Sequence, residues 1–198
     1  FEAGVVASDE SRSLQTHVPN RTVEYRTGAS SVINILEDGR WGRAPETYGE
    51  CPVLTAAVAV AFNKGLAGFA TLEAPSREHG DRLKVLGVVR HFVAYAGPDS
   101  SRFHFDARVS DDDLRLTYLP AWRALSDAGA LGGVMSAISG LNGVPSVADR
   151  TLLTGVLRGE WGYDGFVISD CDTLPAVELQ FRWTSGLQQS VAAAVEAG

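Results

Sequence analysis

The sequence predicts an α/β fold built on a parallel sheet, and three observations predict it. Short apolar runs at Ser31–Leu36, Val85–Phe92, Gly132–Ser136 and Gly165–Ser169 alternate with helical stretches. These runs are nearly continuous in apolar residues instead of alternating with polar ones, the pattern of strands buried on both faces. Each run also ends in charged or polar residues, which gathers chemistry at one end of the sheet. Repeated βα units imply right-handed crossovers. An open doubly wound sheet and part of a (β/α)8 barrel both fit. A complete barrel takes about 250 residues and eight strands, so about four strands make roughly half of one.

Taken in order, Ser31–Leu36 delivers Glu37-Asp38-Gly39-Arg40-Trp41-Gly42-Arg43 at its end. A helix follows Pro52 and runs to about Gly65, around the apolar window Ala56–Phe62. That window has the length of a buried helix segment, and no apolar run reaches the ~18 residues of a membrane span. Val85–Val89 leads into Arg90-His91. Ser110-Asp111-Asp112-Asp113 reads as a capping box, after which Leu114, Tyr118, Trp122 and Leu125 share one face and Pro120 imposes a kink. Gly132–Ser136 leads into Ala137-Ile138-Ser139. Ser146-Val147-Ala148-Asp149 opens a further helix that Gly159 closes, and a last helix over Leu187–Ala197 stops at Gly198.

The chain has 198 residues, 45% of them hydrophobic, enough for one domain with a sizeable core. Its net charge is −7 and its lysines and arginines are scattered, which argues against nucleic acid and anionic membrane surfaces as partners. No Gly-rich strand-to-helix loop supports a phosphate or dinucleotide site. The two cysteines, Cys51 and Cys171, are too few for a disulfide scaffold or a metal cage; they could pair in an oxidising compartment. Phe1 is neither an initiator Met nor the start of a signal peptide, so the numbering is expected to begin inside a longer precursor. Asn20-Arg21-Thr22 is a glycosylation sequon, a triplet that also arises by chance, and it accompanies an expectation of an extracellular or secretory-pathway location.

Asp170 is the residue on which the functional reading turns. The run Asp164-Gly165-Phe166-Val167-Ile168-Ser169-Asp170-Cys171-Asp172 ends an apolar strand in a carboxylate, with a second one two residues on. An acid at the C-terminal tip of a strand sits where α/β enzymes do chemistry. The structural alternative is that Asp170 caps the next helix. Alternatives stand beside the other candidates too: surface salt bridges for Arg43, Arg90 and Arg102, and a satisfied buried imidazole for His91.

Several motifs in order carry a resemblance. They are Arg40-Trp41-Gly42-Arg43 with Glu46-Thr47 and Gly49-Glu50, then Arg90-His91-Phe92-Val93-Ala94-Tyr95. Val109–Leu114 with Thr117–Pro120, Asn142-Gly143-Val144-Pro145, and Leu152–Thr154 with Leu157–Gly162 precede the Ser169-Asp170-Cys171-Asp172 end. From about Ser8 to Gly198 the chain resembles the barrel domain of glycoside hydrolase family 3. Arg102-Phe103-His104-Phe105-Asp106-Ala107, with Cys171 after Asp170, is more similar to the β-xylosidase branch than to the β-glucosidase branch. The resemblance implies a single incomplete TIM-barrel-like domain over 1–198, without the downstream domains, and a retaining exo-hydrolase of β-linked sugars. Asp170 would be the nucleophile, while Arg43, Arg90, His91 and Arg102 would hold sugar hydroxyls. A glycoside or oligosaccharide is the implied partner, with another chain or further domain completing the barrel, and no cofactor or metal is implied. An N-acetylglucosaminidase of the same family would carry a His-containing loop after its Lys-His-Phe, where Val93–Gly97 has none.

The pattern departs at several positions. Arg90 stands where the family has Lys, and Ile138 and Ser139 replace the Tyr and Asn of its Ser-Tyr-Asn pattern. Glu37-Asp38-Gly39 replaces Arg-Asp-Pro, and Cys51 replaces an Asp. The acid that protonates the leaving group would lie beyond Gly198, and a substrate-binding Asp would precede Phe1. Arg for Lys at a fitted site is a change of geometry as well as of charge distribution. An inactive barrel remnant serving as a structural or binding subunit is therefore the alternative function.

Overall fold

The computed structural model describes residues 1–16, 31–74 and 83–198. Its sheet is parallel, with β1 (Val88–Phe92), β3 (Gly133–Ser136) and β6 (Phe166–Ile168) adjacent in that order. The Ser31–Leu36 run joins on the far side of β1 by a single parallel bridge, Val32 to Arg90. Ile33 N–H donates to Arg90 O at 2.9 Å and Arg90 N–H to Ser31 O at 3.1 Å. Spatial order thus follows chain order without the reversal of a doubly wound sheet, and the parallel segments form an arc of a barrel. The strands are shorter than the apolar runs, because each run includes residues that lead into or out of the ladder.

Helices fill the crossovers. Helix α2 (Pro52–Ala67) follows the first segment and ends on Gly68 in the left-handed conformation. Between β1 and β3 lie α3 (Asp111–Asp113), a wider π-helical stretch over Leu114–Tyr118, and α4 (Pro120–Asp127). Ser110 caps this unit as the sequence implied, its Oγ accepting from Asp113 N–H at 3.1 Å. Pro120 has no N–H to give, and the preceding turn widens into the π stretch before the helix resumes. Between β3 and β6 the crossover Thr151–Glu160 is also π-helical. Asp149 caps it, accepting from Leu152 N–H at 3.1 Å, while Ser146–Ala148 before it is a separate 3₁₀ turn. It continues one residue past Gly159, and the chain turns at Gly162, whose φ is +67°. Helices α5 (Thr173–Leu179) and α6 (Leu187–Ala197) close the chain.

The core sits between the sheet and these helices. Phe92 stacks edge-on against Trp122 (centroids 4.9 Å apart) and faces Trp161 at 6.2 Å. Val89, Leu125, Val134, Leu152, Leu153 and Leu157 are buried around them. Each such side chain contributes about 1.5–3 kcal/mol of burial. Tyr118, Trp122 and Leu125 are buried as their spacing implied, with Leu114 packed against the same core.

Two features lie outside the sequence expectation. Helix α1 (Glu2–Thr16) crosses α2 closely: a Cβ on Gly4 would lie 2.1 Å from Phe62 O, and one on Gly65 would lie 2.4 Å from Phe1 O. A second small sheet joins β2 (Asp106–Ala107), β4 (Gly140–Leu141) and β5 (Val144–Pro145). Its β4–β5 hairpin turns on Asn142-Gly143, with φ of +51° and +92°, a pairing suited to a two-residue reverse turn. Cys51 and Cys171 are both free and exposed. The sequon Asn20-Arg21-Thr22 lies outside the described residues.

Candidate active site

The tips of β1 and β6 converge across the end of β3. Asp170 follows β6 by two residues but does not cap α5, whose preceding residue is Asp172 with φ +59° and no side-chain cap bond. Its Oδ1 accepts from Cys171 N–H at 2.7 Å. Its Oδ2 is buried with no hydrogen-bond partner among the described residues and lies 3.6 Å from His91 Nε2. A buried carboxylate oxygen left without a donor is costly in a merely structural role.

His91, the fourth residue of β1, is 1% exposed. Asn34 grips it three ways, donating from Nδ2 to His91 O at 3.1 Å and accepting at Oδ1 from His91 N–H at 3.2 Å. The same Oδ1 lies 3.0 Å from Nδ1. Burial pushes the imidazole pKa down to about 2, and the charges of Arg43, Arg90 and Arg102 push the same way. His91 is therefore neutral, and its approach to Asp170 is not an ion pair. The satisfied-imidazole alternative holds at Nδ1, whereas among the described residues the neighbour of Nε2 is the Asp170 carboxylate at 3.6 Å.

The arginines surround this pair. Arg43, just before the 3₁₀ turn Ala44–Glu46, makes a fork to Glu46 at 2.8 and 2.7 Å, and its guanidinium stands 5.9 Å over the Tyr95 ring. Its side chain is only 15% exposed, against the solvated salt bridge of the alternative reading. Glu46 is held below its ordinary carboxylate range mainly by that hydrogen bond. Arg90 is half-buried, and burial and Arg43 lower its pKa, while Glu46, Asp170 and Cys171 oppose them. Its Nε, like that of Arg102, is buried without a partner among the described residues. Arg102 lies beside the turn Asp99–Ser101, its guanidinium 5.8 Å over Phe103. All five residues singled out in the sequence thus occupy one neighbourhood.

Residues beyond these five shape the site, among them Ile138 and Ser139, where the sequence departs from the family pattern. Tyr95 meets both Trp41 and His91 edge-on at 5.4 Å. Ile138 packs with Trp41, Tyr95 and Ala137 into an apolar wall, while Trp41 Nε1, Ser136 Oγ and Ser139 Oγ are buried without partners among the described residues. Apolar faces with a few convergent unpaired donors and acceptors suit a sugar, whose rings are apolar on their faces and polar at their edges. Sequence reasoning missed Asn34; its signal was a lone amide inside an apolar run. Among the described residues no group of three or more His, Cys, Asp or Glu is placed to hold a metal ion.

Comparison with known proteins bears on the family and the fold. Residues 21–198 match the family described as glycosyl hydrolase family 3 N terminal domain. Beta-D-xylosidase 1 of Arabidopsis thaliana is 37% identical over 202 residues, covering 100% of this chain and 24% of that protein. The periplasmic beta-glucosidase of Salmonella typhimurium is 35% identical over 139 residues, covering 70% of this chain and 17% of that one. Among solved structures, a beta-glucosidase from Listeria innocua superposes with a TM-score of 0.71 at 30% identity, over 85% of this chain and 22% of its own. A GH3 exo-beta-xylosidase bound to a xylobiose aziridine probe superposes with a TM-score of 0.79 over 99% of this chain and 25% of its own; at 24% identity it shows the fold. The chain therefore spans about a quarter of the length of its xylosidase relatives. Its fold is the TIM-barrel-like one of those enzymes, and the chain belongs to glycosyl hydrolase family 3, of which it carries the N-terminal domain.

Proposed function

We propose that this chain is the barrel part of a retaining exo-hydrolase of β-linked xylosides or glucosides. The observation that carries the reading is Asp170 Oδ2, buried and unpartnered, 3.6 Å from a neutral His91 inside a ring of arginines. Asp170 attacks the anomeric carbon and forms a glycosyl ester while the bond to the leaving oxygen breaks; water then cleaves the ester. Arg43, Arg90, Arg102 and His91 hold hydroxyls of the terminal sugar. The acid that protonates the leaving oxygen comes from a further domain or another chain, which also completes the barrel. An extracellular or secretory-pathway location fits substrates of this kind.

Covalent trapping tests this. The protein is incubated with 2-fluoro xyloside and glucoside bearing activated leaving groups, which lessen the need for a general acid, and adducts are located by mass spectrometry. An adduct on Asp170, absent from Asp170→Asn, supports the reading and identifies the preferred sugar. No adduct in folded protein favours the second reading, a catalytically inactive barrel fragment acting as a structural or binding subunit. That reading draws on α6, where Leu187, Val191 and Val195 present an exposed apolar stripe, and on β6, which among the described residues has a strand on one side only.

A further inference from the structure

We propose that Asn34 is a positioning residue that holds His91 as the Nδ1–H tautomer, so that Nε2 faces Asp170 and meets a sugar hydroxyl as a hydrogen-bond acceptor. The sugar rests on the function proposed above; the proton on Nδ1 rests on the geometry at Asn34, and its absence from Nε2 on burial and the three arginines around the ring. The peptide groups of His91 assign the Asn34 amide. The carbonyl of His91 can only accept, so the Asn34 atom 3.1 Å from it is the NH₂. The N–H of His91 can only donate, so the atom 3.2 Å from it is the oxygen. That oxygen is also 3.0 Å from Nδ1, and two acceptors do not pair, so Nδ1 carries the proton. A neutral imidazole has one N–H, which leaves Nε2 with a lone pair.

The surroundings keep it so. Arg43, Arg90 and Arg102 oppose a second proton, and the Tyr95 ring packs edge-on against the imidazole. The carboxylate of Asp170 stands 3.6 Å from Nε2 and is the charge of opposite sign beside it among the described residues. Nε2 and Asp170 Oδ2 are then two acceptors lining one space. A hydroxyl suits that corner because it donates to Nε2 while its oxygen accepts from a guanidinium. Replacing Asn34 by Asp reverses the arrangement: a carboxylate behind Nδ1 favours the imidazolium, whose Nε2–H then donates to Asp170 Oδ2 and blunts it as a nucleophile.

Nitrogen-15 NMR of the unmodified protein, with the His91 signals assigned by their loss in His91→Gln, reads the tautomer directly. The expected result is a pyrrole-type Nδ1 and a pyridine-type Nε2, unchanged from pH 8 to pH 5. A proton on Nε2, or titration within that range, overturns the proposal whatever the activity. Asn34→Asp is expected to bring His91 into titration in that range. It should slow trapping of Asp170 on the order of tenfold at pH 6, a charged hydrogen bond's worth, with recovery toward pH 8. If Asn34→Asp does not fold, the unmodified protein's spectrum still decides. If the tautomer is as expected and no adduct forms, the glycosidase reading falls and the assignment of Asn34 stands.

Discussion

At the scale of the residue, His91 ties the site to the stability of the fold. Its folded pKa of about 2 lies far below the ordinary 6.5 of an exposed imidazole. As pH falls through 6.5 the unfolded chain takes up a proton that the folded chain refuses, so the unfolded state binds more protons down to about pH 2. Stability therefore rises with pH across that window and levels off above it, with a slope of about 1.4 kcal/mol per pH unit. Denaturant melts at several points between pH 7 and pH 5 should show the slope in the unmodified protein and lose it in His91→Gln; equal slopes would mean that His91 protonates in place. Asp170, Arg90 and His91 were legible in the sequence because they stand at the ends of apolar runs, and Arg43 lies in the polar segment after one, whereas Arg102 came from the family resemblance. Asn34 was not, since its partner lies 57 residues away and only the fold brings the two together.

At the scale of the element, apolar periodicity found the parallel segments and the helices that bury a wide apolar face. It passed over α1, whose contact with α2 is made by Gly4 and Gly65 and so carries no apolar signal. Two effects compete in Gly65→Ala. Alanine improves helix propensity by about 1 kcal/mol. Against that, its Cβ would press on the backbone oxygen of Phe1, an overpacking that costs about 1–3 kcal/mol and that no rotamer relieves. A lower thermal midpoint is expected, and a raised one would show that α1 does not dock this way. The π-helical stretches are beyond sequence periodicity, since an extra residue per turn arises from how a helix end is pinned. Asn142-Gly143 did carry a readable hairpin signal, one that its place in a family motif obscured.

At the scale of the molecule, the described sheet is an arc with one edge at the Ser31–Leu36 run and the other at β6. Val195 on α6 is 75% exposed, and its replacement by Lys should leave the stability of the chain within about 0.5 kcal/mol. If that face meets the part that completes the barrel, Val195→Lys weakens the association, which analytical ultracentrifugation with that part would read. Unchanged association would place the contact elsewhere. The agreement of spatial order with chain order also bears on how the molecule is made. A chain emerging from the ribosome can lay each new strand on an edge that already exists, without waiting for a later strand to be inserted between earlier ones. Asp170 is synthesised after His91 and all three arginines. Its carboxylate is thus the last of the five to be made, and it reaches the imidazole and the guanidinium groups only when β6 is laid on β3.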